Sequence, residues 1–295
     1  MPQIGSILCP VDFSEFSVNA YECARSLAWH YKATLILQHV LYPLYSGFAR
    51  YDGNIDSYEE IARQLRAEGQ EKLQQFARLH ARREIRPQCI VQDGLVTDLI
   101  LSLAEAQRVD LIVMGTHGLR GVDRLMLGSV TERVLRRARC PVLAVRKPAH
   151  HVASSAHDPE PVHLRKMLLC TDFSDHGHRA SEYAVSMAKE CGAELTLLHV
   201  LEDVSRLTEL ESATEKVARQ LEESIAPKTR EGCIVKVMVR IGKAYQQIIQ
   251  LAVEAQMDLV IMGVRGRGAL DTAIFGSTTY RVIQLGSCPV LTVHI

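Results

Sequence analysis

The residues with the clearest chemical purpose form a spaced glycine pattern that occurs twice. Gly115-Thr-His-Gly118 is followed by nine residues and then Gly128-Ser129, and Gly263-Val-Arg-Gly266 is followed by nine residues and then Gly276-Ser277. Each pattern continues an apolar run that ends in Met-Gly, at Met114 and at Met262. Glycines at the carboxyl end of a buried strand let the backbone take positive φ and approach a phosphate with no Cβ in the way. A Gly-Ser pair opening a helix offers free N–H groups and the positive end of the helix dipole to an anion, and the hydroxyl donates to a phosphate oxygen or caps the helix. The competing reading is a tight turn without a ligand; a loop of the same length in two copies weighs against it.

Asp12 and Asp172 each close an apolar run, where a short acceptor bonds two ribose hydroxyls or caps the helix that follows at Ser14 and Ser174. His117, Arg120, Arg124, Arg265 and Arg267 either neutralise phosphates or are solvated loop charges. Asp123 and Asp271 occupy the same place in both loops; a Mg²⁺-bound water is conceivable there, a turn or cap the better reading. His39 and His199 face away from Val40 and Val200 on their strands and read as packed, partnered histidines.

Several chemistries have no carrier. No G-x-x-x-x-G-K-[ST], G-x-S-x-G or H-E-x-x-H occurs, so a P-loop, a nucleophile elbow and a zincin site are excluded. The eight cysteines include no C-x-x-C pair and read as reduced core thiols. His150, His151, His157 and His163 fall in a stretch rich in Pro, Ser and Ala that reads as a spacer rather than a metal site.

These residues need a scaffold, and the chain supplies it twice. "VDFSEF" from Val11 matches "TDFSDH" from Thr171, and "LILQHVL" from Leu35 matches "LTLLHVL" from Leu195, both at an offset of 160. "DLIVMGTHG" from Asp110 and "CPVLAV" from Cys140 recur at an offset of 148. The second copy is therefore shorter, and Tyr42–Glu60 of the first has only a brief counterpart. Within the first copy, short apolar runs at Ile4–Val11, Thr34–Val40, Gln88–Gln92, Leu111–Met114 and Pro141–Val145 predict strands. Helical spacing at Ser17–Tyr31, Tyr58–Arg83, Val96–Arg108 and Ser129–Arg137 alternates with them. The expectation is an α/β fold of two tandem Rossmann-like domains, each a five-stranded parallel sheet with helices on both faces, over 1–147 and 164–295 with a linker at 148–163.

The glycine pattern, with "VDFS" and "HVL" upstream, resembles the ATP-binding branch of the universal stress protein family, whose domains are of the adenine nucleotide alpha hydrolase-like type. The resemblance covers nearly the whole chain, twice. It implies that Asp12 and Asp172 contact ribose, that Val40 and Val200 lie against adenine, and that Gly115, Gly118, Gly128 and Ser129, with Gly263, Gly266, Gly276 and Ser277, hold the phosphates. Pro10, Val11, Met114, Val130, Thr171, Met262 and Thr278 complete the implied contact set. ATP, with Mg²⁺ where the loops admit it, is the implied ligand, and a regulatory role in stress adaptation the implied function. A slow ATPase or phosphotransferase and a nucleotide-free interaction scaffold are the alternatives.

The 34 basic and 34 acidic side chains leave no net field to recruit nucleic acid. The start carries no secretory signal and no run is long enough to span a membrane, so a cytoplasmic protein is expected. Its protein clients are not legible. The family resemblance implies that the final strands, "CPVLAV" and "CPVLTV", lie at sheet edges and pair with a counterpart; with both in one chain an internal pseudo-dimer is expected, with a homodimer as a further option.

Overall fold

Alternation along each apolar run decides the layering. Ile7 and Cys9 turn to one face of their strand and Leu8 to the other; Leu35 and Leu37 are separated from Ile36, and Leu111 and Val113 from Ile112 and Met114, in the same way. A strand buried on both faces must be covered by helices on both, which the parallel strand–helix alternation provides.

The computed structural model describes residues 4–42, 55–80, 85–118, 126–146, 164–202, 210–225, 231–264 and 276–294. In the first repeat, β1 (Ser6–Pro10), α1 (Glu15–Tyr31), β2 (Thr34–Leu41), α2 (Ile55–Leu79) and β3 (Gln88–Asp93) are followed by α3 (Val96–Ala106), β4 (Leu111–Gly115), α4 (Ser129–Arg137) and β5 (Val142–Val145). The second repeats the order as β6 (Lys166–Cys170), α5 (Asp175–Cys191), β7 (Glu194–Leu201), α6 (Leu210–Glu223), β8 (Ile234–Ile241), α7 (Ala244–Glu254), β9 (Leu259–Gly263), α8 (Ser277–Leu285) and β10 (Val290–Val293). The expected strands and helices are all present, with ends shifted by a few residues. The aromatic segment after Tyr42 and the linker at 148–163 fall largely or wholly outside the described residues. No helix among the described residues is long and apolar enough to cross a membrane.

The two five-stranded parallel sheets are not separate. They form one ten-stranded sheet in the order β3-β2-β1-β4-β5-β10-β9-β6-β7-β8. Within each repeat the strands run parallel, and β5 meets β10 antiparallel, with Ala144 opposite Val290, Leu143 opposite Leu291 and Val142 opposite Thr292. The pairing expected of the apolar edges is thus formed inside the chain. Thr292 Oγ1 donates to Val142 O at 3.1 Å across the seam. Arg146, just past β5, donates from Nη1 to Gln284 O near the end of α8, and His294, just past β10, donates from Nε2 to Leu135 O near the end of α4 at 2.8 Å. Each repeat therefore caps a carbonyl near the carboxyl end of the other's last helix.

Beneath the seam Leu27, Leu143, Leu164, Met187 and Leu291 close around a void of only about 10 Å³. At that size it is at the limit for holding a single water. Leu143→Ala and Leu291→Ala should each cost about 2–5 kcal/mol in denaturant unfolding. Because they face each other across the seam, the double variant should be non-additive by about 0.5–3 kcal/mol. Strict additivity would mean that the two strands are not paired.

Candidate functional site

Each repeat turns sharply where its first strand ends. Phe13 and Phe173 take left-handed backbone, at φ 65° and 61°, a conformation that costs a non-glycine residue on the order of 1–3 kcal/mol. What holds them is visible on both sides. Asp12 Oδ1 accepts from Ser14 N at 3.0 Å, and Asp172 Oδ1 from Ser174 N at 3.1 Å. The Phe13 ring packs against His39 at 4.5 Å and Phe76 at 5.5 Å, and the Phe173 ring against His199 at 4.8 Å. His39 Nδ1 is hydrogen-bonded to Val11 O and His199 Nδ1 to Thr171 O, both at 2.8 Å. Burial pushes the His39 pKa down. Both histidines are thus partnered packing residues, as expected. Helix capping falls to the serines: Ser14 Oγ accepts from Ser17 N at 3.2 Å and Ser174 Oγ from Gly177 N at 3.3 Å. Neither aspartate is the helix cap.

The glycines act differently from expectation. None of Gly115, Gly118, Gly128, Gly263 and Gly276 is among the residues with positive φ, and Gly128 and Gly276 sit at φ −59° and −56° as N-caps. The requirement is close approach instead. A Cβ on Gly115 would lie 2.8 Å from Phe16 O, and one on Gly263 would lie 2.8 Å from His176 Cβ, so both glycines serve helix–strand packing. A Cβ on Gly118 would run into Asp12 Oδ2, and one on Gly128 would sit 3.0 Å from Thr116 O. In the first repeat, then, the glycine loop, Asp12 and the start of α4 are contiguous. Ser129 and Ser277 are the first residues of their helices and cap nothing, since the N-caps are glycines without a side-chain bond. The anchoring hydroxyls are two that sequence reasoning missed: Thr131 Oγ1 donates to Gly115 O at 2.8 Å and Thr279 Oγ1 to Gly263 O at 3.1 Å. Their recurrence two residues after each Gly-Ser pair was the available signal.

His117 also departs from the loop-cation reading. It is buried, its Nδ1 is hydrogen-bonded with Thr116 Oγ1 at 2.9 Å, and its ring lies 4.9 Å from that of Phe16. Burial, with the charge of Arg146, pushes its pKa down, so the ring is held neutral rather than offered to a phosphate. Arg120, Asp123, Arg124, Arg265, Gly266, Arg267 and Asp271 lie outside the described residues.

In the second repeat the expected residues line one cleft of about 400 Å³. Gly263, Gly276, Ser277 and Thr278 form one end, with Met262 below; Thr171 and Asp172 stand in the middle; Val200 lies at the other end. Ile248, Ala244 and Glu202, none of them singled out in sequence, complete that far end. In the first repeat, Pro10 ends β1 and Val11 follows it, Val40 lies near the end of β2, and Met114 and Val130 belong to the apolar layer between the sheet and α4. The helix start at Ser277-Thr278 supplies unsatisfied N–H groups and the positive dipole end, Gly276 N being held by Val264 O at 3.1 Å, and Asp172 supplies a carboxylate acceptor roughly one strand spacing from β9. The lining is complementary to an elongated group that is anionic at one end and hydroxylated in the middle, with a far end that is apolar apart from Glu202. Among the described residues no group of three or more His, Cys, Asp or Glu side chains is placed to hold a metal ion.

The family model described as the universal stress protein family matches residues 4–146 and again 163–294. A universal stress protein of Methanocaldococcus jannaschii is 35% identical over 142 residues, covering 48% of this chain and 82% of that one. One from Mycolicibacterium smegmatis is 29% identical over 299 residues, covering 98% and 96%. The crystal structure of a universal stress protein from Archaeoglobus fulgidus superposes with a TM-score of 0.64 at 25% identity, over 99% of this chain and 96% of that one.

Two expectations follow from this geometry. Gly115→Ala should destabilise the fold by about 1–3 kcal/mol, read from denaturant melts, because its Cβ meets the backbone of Phe16; an unchanged midpoint would refute the packing role. His39 and His117 have folded pKa values below the ordinary 6.5. As pH falls through 6.5 the unfolded chain takes up protons that the folded chain does not, so stability should decline from about pH 6.5 downward until the folded pKa is reached. His117→Gln should make that decline shallower in urea melts taken between about pH 7.5 and pH 5; an unaltered slope would show that the ring is not held neutral.

Proposed function

Because the chain belongs to the universal stress protein family, over both of its repeats, we propose that it is a nucleotide-binding regulatory module that takes one ATP in each repeat. The observation that supports this reading is the single cleft in which a helix start, a carboxylate and an apolar wall follow one another in the order phosphate, ribose and base require. Its volume, about 400 Å³, lies within the roughly 300–1,000 Å³ usual for small-ligand sites. In this reading the N–H groups at Ser277-Thr278 hold the phosphates, Asp172 accepts from the ribose hydroxyls and Val200 with Ile248 packs against the base. Gly118, Gly128-Ser129, Asp12 and Val40 do the same in the first repeat. Mg²⁺ accompanying the phosphates belongs to the same proposal.

Occupancy would favour one arrangement of the glycine loops over others and so alter the surface offered to protein clients. That is the physical content of a stress-adaptation role. The cytoplasm is the proposed setting. All eight cysteines are unpaired, and burial pushes Cys140 and Cys191 up to about 11 and Cys288 up to about 12, so these thiols are inert rather than redox-active.

Titration calorimetry with ATP should give two sites per chain. Asp12→Ala and Asp172→Ala should each remove or weaken one, by about 10–150-fold, the value of hydrogen bonds to a charged acceptor. Two undiminished sites in either variant would exclude the ribose role of that aspartate.

A further inference from the structure

The two repeats differ at the end of the cleft away from the glycine loop. In the second repeat Glu202, the residue after β7, lines the cleft beside Val200 and Ile248, and its Oε1 accepts from Ala244 N at 2.7 Å. Ala244 is the first residue of α7, whose N-cap, Lys243, gives no side-chain bond. In the first repeat the residue at the same offset, 160 before Glu202, is Tyr42, and the N-cap of α3, Leu95, is likewise without a side-chain bond. Glu202 thus has no counterpart across the pseudo-twofold.

Two helix starts open onto the second cleft, those of α7 and α8. A phosphate is attracted to either by the same N–H groups and dipole. The carboxylate of Glu202 occupies the start of α7 and repels an anion there, leaving α8 to take the phosphates. The strand order β9-β6-β7 sets these two ends about two strand spacings apart, roughly 10 Å, with Asp172 between them. The nucleotide is therefore polarised, and its base lies at the Glu202 end. A carboxylate only accepts hydrogen bonds. The base edge that meets it must donate.

We propose that Glu202 is a specificity-determining residue of the second site, which selects a purine bearing a 6-amino donor over one bearing a 6-carbonyl, and that the first site lacks this discrimination. The inference rests on the nucleotide reading above. Adenine presents the amino group at position 6; hypoxanthine presents there a carbonyl whose lone pairs face the carboxylate, and carries its donor one atom away, at N1. A hydrogen bond to a charged acceptor gained in one case and lost in the other corresponds to about tenfold in affinity at a partly exposed site.

The test compares ATP with inosine triphosphate by calorimetry on the full chain. In the Asp12→Ala chain, where the second site remains, ATP should bind about tenfold more tightly. Adding Glu202→Gln keeps an acceptor for Ala244 N, so the melting midpoint should hold, but turns an amide N–H toward the base. The preference should then fall to within about twofold or invert. In the Asp172→Ala chain, where the first site remains, the two nucleotides should bind within about twofold. Equal binding in the Asp12→Ala chain, or a preference that survives Glu202→Gln, overturns the role of Glu202 and leaves the nucleotide reading intact. An equal tenfold preference in the Asp172→Ala chain overturns the asymmetry. Failure of every chain, wild type included, to bind either nucleotide removes the nucleotide reading and this inference with it.

Discussion

The antiparallel pairing of β5 with β10 is the contact on which the rest of the architecture turns. Strands that run parallel within a repeat reverse direction across this seam, so the carboxyl edges of the two halves point to opposite ends of one sheet. The candidate sites, each beyond the carboxyl ends of its own strands, therefore sit at opposite ends and share no ligand contact. Helices connect them instead. The start of α8 belongs to the second site, while Gln284 near its other end is held by Arg146, whose charge reaches His117 in the first site's loop. The start of α4 belongs to the first site, and Leu135 near its end is held by His294 of the second repeat. Each of these helices starts at its own repeat's site and has a carbonyl near its end bonded by a residue of the other repeat.

The same seam explains the short final strands. Strands of four residues, Val142–Val145 or Val290–Val293, apolar but for Thr292, would be poor edges alone, open to pairing with another chain. Facing each other they bury a continuous layer through Leu143 and Leu291, and Thr292 adds a hydrogen bond. Duplication within one chain makes the partner permanently available, because the tether raises its effective concentration. Away from the seam, a second device repeats. Asp110 Oδ2 accepts from Gly5 N and Ser6 N at 2.8 and 2.9 Å, and Asp258 Oδ2 from Arg165 N and Lys166 N at the same distances. The residue that begins the Met-Gly strand thus anchors the amino end of its neighbour, which fixes the register of the strands whose far ends carry the site.

The layers and the alternation of strands with helices were readable because they rest on apolar period and on repetition, and these are properties of short windows; the seam was legible only through the family resemblance. Ile7, Leu8 and Cys9 announce a two-faced strand by themselves. The grouping of Asp172, Gly263 and Ser277 was readable for a related reason: residues that end or follow parallel strands must meet at one edge. What escaped was whatever depends on the distance between backbones. Gly115 looked like a residue for phosphate approach, yet its missing Cβ is demanded by Phe16, nearly a hundred positions earlier. His117 looked like a loop cation because it lies in glycine-rich loop sequence; in the fold it is buried, with its ring against that of Phe16. The left-handed Phe13 has no local signature at all, since bulky aromatic residues disfavour that backbone and only packing against His39 and Phe76 offsets the strain.

Comparing the repeats position by position separates scaffold from cleft. The matched residues are those that hold backbone: Asp12 with Asp172, Ser14 with Ser174, His39 with His199, Thr131 with Thr279, Asp110 with Asp258. Among the differences, one pair is compensating. Thr171 replaces Val11, and its Oγ1 accepts from Phe173 N at 3.0 Å. The same hydroxyl would lie 2.6 Å from a Cβ at residue 177, which is glycine; the first repeat, with Val11, has Ser17 there, hydrogen-bonded back to Ser14 O at 2.9 Å. Thr171 and Gly177 are thus one change made twice, and both line the cleft, as does Glu202 in place of Tyr42. These five anchor pairs are kept, while Thr171, Gly177 and Glu202 give the second cleft a lining that Val11, Ser17 and Tyr42 do not give the first.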